Sequence, residues 1–509
     1  MINMSNNKKN EKEIGATEKI EEEIEEATET SRRNVFFWAM YDLANTIYSM
    51  VIVSLLINRY ILVIGQLESG LTYGDTSLIF GIVQGTMQAI IAICVPILGA
   101  LSDTAGKRKP YVISLTGIIL LFASLIGFSH SLTLVLIFYL IANTAYQFSL
   151  TFYDAMLPFI AKREDREKVG GFGVAWGYLG TIISLLIVLP LMMTMGDMNS
   201  FARFEINLEE MLTYLTIESN AGSLAALYYL VEIVDPVKEL TYGYAGNWFT
   251  FVLPMLLFFG FAVPFFFVRE KQKKTKIPSA GKLIKGTFAQ LRSTFKDIRA
   301  HKSMFIFIIG YFFVSDIANV IVAYMMPLVT DGLIIGTDGN PSDIFGTLFI
   351  IIATVSAVAF TYFVGTFGRK YGAKKCFYLV GLLWGTSLTI GVILIFSLPY
   401  INIGLNLPFI MSLLVGIIAG PALGGTWTAQ RVMVVQIAPK EKFGEYFGFS
   451  KLSGKISSAL GPLIMGAVLS TYDIIGKRAY GWALISVGMI LAIGVLIISF
   501  VEIQPQKLK

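Results

Sequence analysis

Twelve runs of mostly apolar residues divide the chain, at roughly 35–64, 77–101, 110–129, 132–161, 169–194, 247–268, 303–329, 344–368, 376–398, 406–438, 446–470 and 480–501. A hydrocarbon core about 30 Å thick needs about 20 such residues in helical form. Lipid offers no partner for a bare peptide group, and the runs are too long for tilted barrel strands, so each is predicted to be an α-helix. Their unequal lengths predict tilt, or extension beyond the bilayer. The fold class is therefore an all-α polytopic membrane protein with twelve transmembrane helices.

Charge placement adds orientation to this pattern. Of 509 residues 55% are hydrophobic and only 15% charged, which excludes a soluble enzyme, a disordered chain and a nucleic-acid binder. Segments 1–34, 102–109, 162–168, 269–302, 369–375, 440–455 and 502–509 carry 34 of the 40 Lys and Arg. By the positive-inside rule these are cytoplasmic, with both termini inside. Arg59, Arg203, Lys238, Lys477 and Arg478 fall outside, and Arg431 falls within a run. The tail 1–34 reads as solvated, and the first apolar run is too long for a cleavable signal. Cys94 and Cys376 are expected to be packing thiols, His130 and His301 form no metal-ligand set, and no phosphate-binding loop is present.

The chain repeats itself. Asp42-Leu-Ala-Asn45 returns as Asp316-Ile-Ala-Asn319, 274 residues on. GALSDTAGKRK (99–109) is echoed by GTFGRKYGAKK (365–375), and MLPFIAKREDREKVGGFG (156–173) by MVVQIAPKEKFGEYFGFS (433–450). Three matches in order predict two six-helix bundles, 35–268 and 303–501, as parallel repeats. The acidic outer loop 195–246 is read as one or two short surface helices. The basic linker 269–302 is either an amphipathic helix on an anionic leaflet or a loose tether.

Four ionisable residues lie deep in runs 1, 4, 7 and 10: Asp42, Asp154, Asp316 and Arg431. Such residues cost several kcal/mol unless they face a cavity or a partner. Asp154 and Arg431 are repeat-equivalent with opposite charge, so a pair across the pseudo-axis is expected, as gate or clamp or as a fixed structural bridge. Trp38, Asp42, Asn45 and Ser49 share one helical face, as do Asn143, Gln147, Thr151 and Asp154. These stripes suit a watery path or interhelical bonding. No Lys or His is expected inside a run, which leaves Asp42, Asp154 and Asp316 as the candidate proton carriers. Gly99, Asp103, Gly106, Lys107 and Arg108 form a tight gating loop between runs 2 and 3, in which Asp103 can take a base or a helix N-terminus.

The loop GALSDTAGKRK resembles the major facilitator signature. WAMYDLAN (38–45), YDAMLPFIA (153–161), VGGFGVAWGYLG (169–180) and APKEKFGEYFGFSKLSGKISSALGPL (438–463) resemble the vacuole-effluxer-like branch of that superfamily, whose eukaryotic members are associated with autophagy and amino-acid export. The resemblance implies a secondary transporter, not an enzyme, working by alternating access in the cell membrane or, in a eukaryote, the vacuolar membrane. It supports Asp42, Asn45, Tyr153, Asp154 and Arg431 as family-pattern positions, and Asn319, Trp427 and Gln430 join the same cavity set. Gln430 stands where another polar residue would be expected. The substrate implied is a small metabolite, an amino acid first, with a sugar or drug carrier or a non-transporting receptor or scaffold as alternatives. Expected partners are that small molecule, the bilayer with anionic lipid at 269–302 and, where transport is coupled, protons. Nucleic acid, a metal and an organic cofactor are not expected, and a monomer is.

Overall fold

The computed structural model of the protein describes residues 30–67, 69–104, 108–129, 131–162, 165–188, 248–270, 280–333, 343–397, 407–438 and 443–503. Every regular element among the described residues is helical. Eleven helices are long and apolar enough to cross a membrane. They are span 1 Arg32–Gln66, span 2 Tyr73–Gly99, span 3 Lys109–Ile126, span 4 Leu132–Asp154, span 6 Thr250–Phe267 and span 7 Lys302–Leu333. Span 8 Phe349–Gly368, span 9 Ala373–Ser397, span 10 Ile410–Ile437, span 11 Tyr446–Leu469 and span 12 Arg478–Ser499 follow. Span 5 is the helix Arg166–Ile183 with its wider-turned continuation Ser184–Val188. The tail 1–29, the loop 195–246, Gly106 and Lys107 lie outside the described residues.

Helix pairing shows the duplication directly. Span 1 packs on spans 5 and 6, span 3 on spans 4 and 6, and span 2 on span 4. The second half repeats each of these: span 7 on 11 and 12, span 9 on 10 and 12, span 8 on 10. Between the halves, span 2 lies along span 11 and span 1 touches span 7. The first of these seams is glycine-lined. A Cβ on Gly81 would sit 2.9 Å from the Gly466 Cα and one on Gly466 would sit 3.0 Å from the Gly81 Cα, so the two backbones touch.

Three helix ends depart from the sequence reading, each for a local reason. Span 4 was expected to run to residue 161, but its helix stops at Asp154 and resumes only as the turn Leu157–Ile160. Pro158 lacks the N–H that would bond the Asp154 carbonyl, and its ring would collide with that oxygen. Span 11 is interrupted at residues 458 and 459, between the helices Phe443–Ser457 and Leu460–Leu469. Pro462 breaks the ladder to Ser458 in the same way. Span 7 runs past residue 329 through a wide-turned segment, Leu328–Leu333, which carries Asp331 into the protein.

Candidate functional site

In the first bundle, the stripe on span 1 packs against spans 4 and 5. Trp38 is buried and stacks on Tyr153, with ring centroids 4.7 Å apart and planes 6° apart. The Tyr153 hydroxyl donates to the Trp38 carbonyl at 3.1 Å. Asp42 is half-buried beside Gly173 and Gly177, and Asn45 Nδ2 reaches its Oδ1 at 3.4 Å. Asn143 is fully buried: its Nδ2 lies 3.4 Å from the Tyr139 hydroxyl, which itself donates to Gln84 at 2.9 Å. Asn143 Oδ1 and Trp38 Nε1 have no hydrogen-bond partner among the described residues.

The second bundle uses its equivalent residues otherwise. Asp316 is 0% exposed, and its Oδ1 accepts the Gly461 N–H at 3.0 Å. That N–H is freed by the interruption of span 11, so Asp316 faces the N-terminus of a half-helix deep in the bundle. A Cβ at position 461 would lie 2.6 Å from Asp316 Oδ1, so only glycine lets the carboxylate in. Asp316 Oδ2 has no partner among the described residues. Asn319 turns back to the Ser315 carbonyl at 3.0 Å. Gln430 is a buried cross-tie that accepts from Tyr311 at 3.1 Å and donates to Ser450 at 2.9 Å.

On span 10, Gln430 faces spans 7 and 11, Thr426 bonds Trp384 of span 9, and Thr428 touches span 8 at Gly365. The sector left open is the one opposite span 9, and it holds Trp427 and Arg431, both exposed. A second exposed stretch lies between spans 4 and 11. There Asp154 Oδ2 is 4.0 Å from Lys451 Nζ, with the two side chains 65% and 52% exposed. One turn deeper, Lys455 Nζ donates to Gln147 Oε1 at 2.5 Å.

Two expectations are corrected here. Asp154 pairs with Lys451 of span 11, not with Arg431 of span 10, because span 4 ends at Asp154 and delivers it to the mouth instead of the interior. And a lysine does lie inside a span: Lys455, counted above with a cytoplasmic segment, is nine residues into span 11. Its aliphatic stem lines the helix while its ammonium reaches a polar partner. Asp42 and Asp154 lie in each other's electrostatic field, as do Asp154 and Lys455. Asp42 and Asp154 thus stand on the first bundle, and the bases Arg431, Lys451 and Lys455 on the second.

The opposite end, away from the linker, is sealed by residues that the sequence reading passed over. Asp331 is buried, with Arg59 Nη1 at 3.5 Å, the Tyr73 hydroxyl donating at 2.7 Å and Thr330 at 3.0 Å. Tyr73 also bonds Tyr480 and stacks on Tyr472 at 4.1 Å. The Gly74 N–H donates to Asp473 at 2.9 Å, and Asn58 donates to the Ala323 carbonyl at 3.1 Å. Burial, then the negative charges of Asp331 and Asp473, raise the Tyr472 phenol above its usual range. Burial lowers the Lys477 ammonium, against the pull of Asp331. This end is thus tied by hydrogen bonds across the halves, while Asp154, Lys451 and Arg431 towards the linker side are exposed.

The expected tight loop between spans 2 and 3 is shorter than read: the helix of span 2 continues to Thr104, so Gly99 and Asp103 lie in its last turns, with open space around Gly99. The side chain of Asp103 lies outside the described residues. Arg108 is buried, 4.2 Å from the Phe159 ring and 3.7 Å from Glu270. Glu270 also accepts the backbone N–H groups of Arg108 and Lys109 at 2.8–2.9 Å, so it occupies the N-terminus of span 3. Glu270, at the start of the linker, thus bonds the first N–H groups of span 3, while the expectation for Asp103 falls on a side chain outside the described residues.

Residues 30–507 match the family described as "Vacuole effluxer Atg22 like". The chain belongs to this family. An uncharacterised MFS-type transporter of Bacillus subtilis (strain 168), YxiO, is 23% identical over 466 residues, which is 91% of this chain and 94% of that one. Autophagy-related protein 22 of Yarrowia lipolytica is 29% identical over 176 residues, 35% of this chain and 28% of that one. Solved structures of the nucleoside transporter NupG (TM-score 0.61, 12% identity, 93% of this chain and 100% of that one) and the peptide transporter POT (0.59, 14%, 94% and 97%) share the fold. The Atg22-like chain thus has the twelve-helix major facilitator fold and is a multi-pass membrane transporter of that type.

Proposed function

We propose that the protein carries a small zwitterionic solute, an amino acid first, across the cell membrane by alternating access, with the linker side cytoplasmic. The observation that supports this reading is the division of charge between the bundles, acids on the first and bases on the second, which would face one another across a vestibule. A carboxylate can dock on Arg431 of the second bundle, and an ammonium can be received by Asp42 and Asp154 of the first. A zwitterion that spans both walls draws the bundles together, which neither a lone amine nor a lone acid can do. Coupling to protons is assigned to Asp316, whose free Oδ2 seats a proton at the interruption of span 11. Arg59, Tyr73, Asp331 and Tyr480 form the seal that opens when the vestibule closes.

Uptake into proteoliposomes, with and without an imposed pH gradient, tests the reading. Amino acids are expected to move, with stimulation by the gradient, while the matching amines and carboxylic acids compete poorly. Arg431→Ala is expected to raise KM about 10- to 100-fold, the worth of a charge-assisted hydrogen bond. Equal competition by amines, acids and zwitterions overturns the two-wall docking. Absence of flux with every solute favours a receptor or scaffold.

A further inference from the structure

The linker forms a helix, Ala280–Ala300, that packs against spans 2, 7 and 11. At 100° per residue its surface divides into three adjacent stripes. Thr287, Thr294 and Ile298 are buried against the bundle. Beside them Ile284, Phe288 and Phe295 fall within about 40° of one another on the wheel, and they are 41%, 48% and 43% exposed. Next come Lys282, Lys285, Arg292, Lys296 and Arg299, all exposed. Asp297 is the only acid in the helix.

We infer that this helix is a docking surface for the anionic phospholipid leaflet, with Ile284, Phe288 and Phe295 at the acyl boundary and the five bases among the headgroups. Connectivity sets the depth. Span 7 begins at Lys302, two residues after the helix ends, so the helix lies at the water–bilayer boundary. A topology signal needs only a count of bases, and a tether needs no stripe. Neither accounts for a row of exposed aromatic and branched side chains flanked along its length by cations, which is the pattern of an interfacial helix. Because the helix touches span 2 of one bundle and spans 7 and 11 of the other, leaflet charge would act on the seam between the halves.

The test uses the full chain in nanodiscs, with Cys94 and Cys376 replaced by alanine and an environment-sensitive dye on Phe288→Cys or, on the aqueous face, Ser293→Cys. In phosphatidylglycerol-rich discs the dye at 288 is expected to shift to the blue and resist the neutral quencher acrylamide, while in phosphatidylcholine it stays accessible. The dye at 293 should stay accessible in both. Removing one base should weaken the attachment about fivefold, and Lys285→Gln with Arg292→Gln, Lys296→Gln and Arg299→Gln should abolish it. If that variant fails to fold, Lys296→Gln and a salt titration read the same dependence. An accessible 288 in both lipids overturns the proposal. So does shielding that is equal in both, or that survives loss of the bases or high salt.

Discussion

Asp42 and Asp316 hold matching places in the two bundles, each opening a four-residue motif that ends in asparagine, yet they sit in different surroundings. Asp42 is half-buried beside glycines of span 5, within the field of Asp154. Asp316 is sealed against span 11, with one oxygen on a backbone N–H and the other without a partner. The cause lies in the partner helix. Span 5 stays helical where it faces Asp42, while span 11 breaks ahead of Gly461 and Pro462 and turns an N-terminus towards Asp316. Duplication thus preserved the carboxylates while their neighbours diverged, and the proposed function assigns one to the solute and the other to the driving ion.

The largest expected effect is that of Asp316→Asn. The amide can still accept from Gly461, so the fold should survive, but gradient-driven uptake should fall about a hundredfold or more, roughly 2.7 kcal/mol or above. Solute exchange without a gradient should persist, and its loss would remove the distinction from Asp42. Asp42→Asn is expected to act on recognition instead, raising KM about 10- to 100-fold for zwitterions while leaving stimulation by a pH gradient in place. Asp331→Asn should loosen the far seal by about tenfold, read as faster labelling of a cysteine placed beside Tyr73. Asp154→Asn is the mildest. Its pair with Lys451 is exposed on both sides and screened, so a change of no more than about fivefold in KM is expected.

Much of the architecture was legible in the chain. The twelve runs, the repeat and the family resemblance all depend on composition and local order, which hydropathy and spacing record. The helix ends were legible only in part. Pro158 and Gly461-Pro462 are visible in the sequence, but each lies inside an apolar run long enough to cross the bilayer, and length alone gave no reason to stop. Asp331 follows Thr330 and precedes Gly332, a stretch that reads as a turn, so its place inside the extended span 7 was missed. Lys455 reads as part of a cytoplasmic segment because of its basic neighbours, though it lies in the helix Phe443–Ser457, the first part of span 11. Pairing across the bundles was least legible. Whether Asp154 meets Arg431 or Lys451 depends on how the two halves tilt, a property of tertiary packing that no single helix encodes.

The bare contact of Gly81 and Gly466 has a mechanical consequence. With no side chain between them, spans 2 and 11 can rock about that point as a lever rocks on its fulcrum. Along span 2 the arm towards the linker side is about 27 Å and the arm towards the seal about 12 Å, at 1.5 Å per residue. A rotation of about 10° therefore moves the inner end by about 5 Å and the outer end by about 2 Å. Under the alternating access proposed above, that displacement would open or close the linker side, but it is short for admitting a solute past the tyrosines. Opening the far side requires the fulcrum itself to slide, and a larger residue at either glycine would jam it.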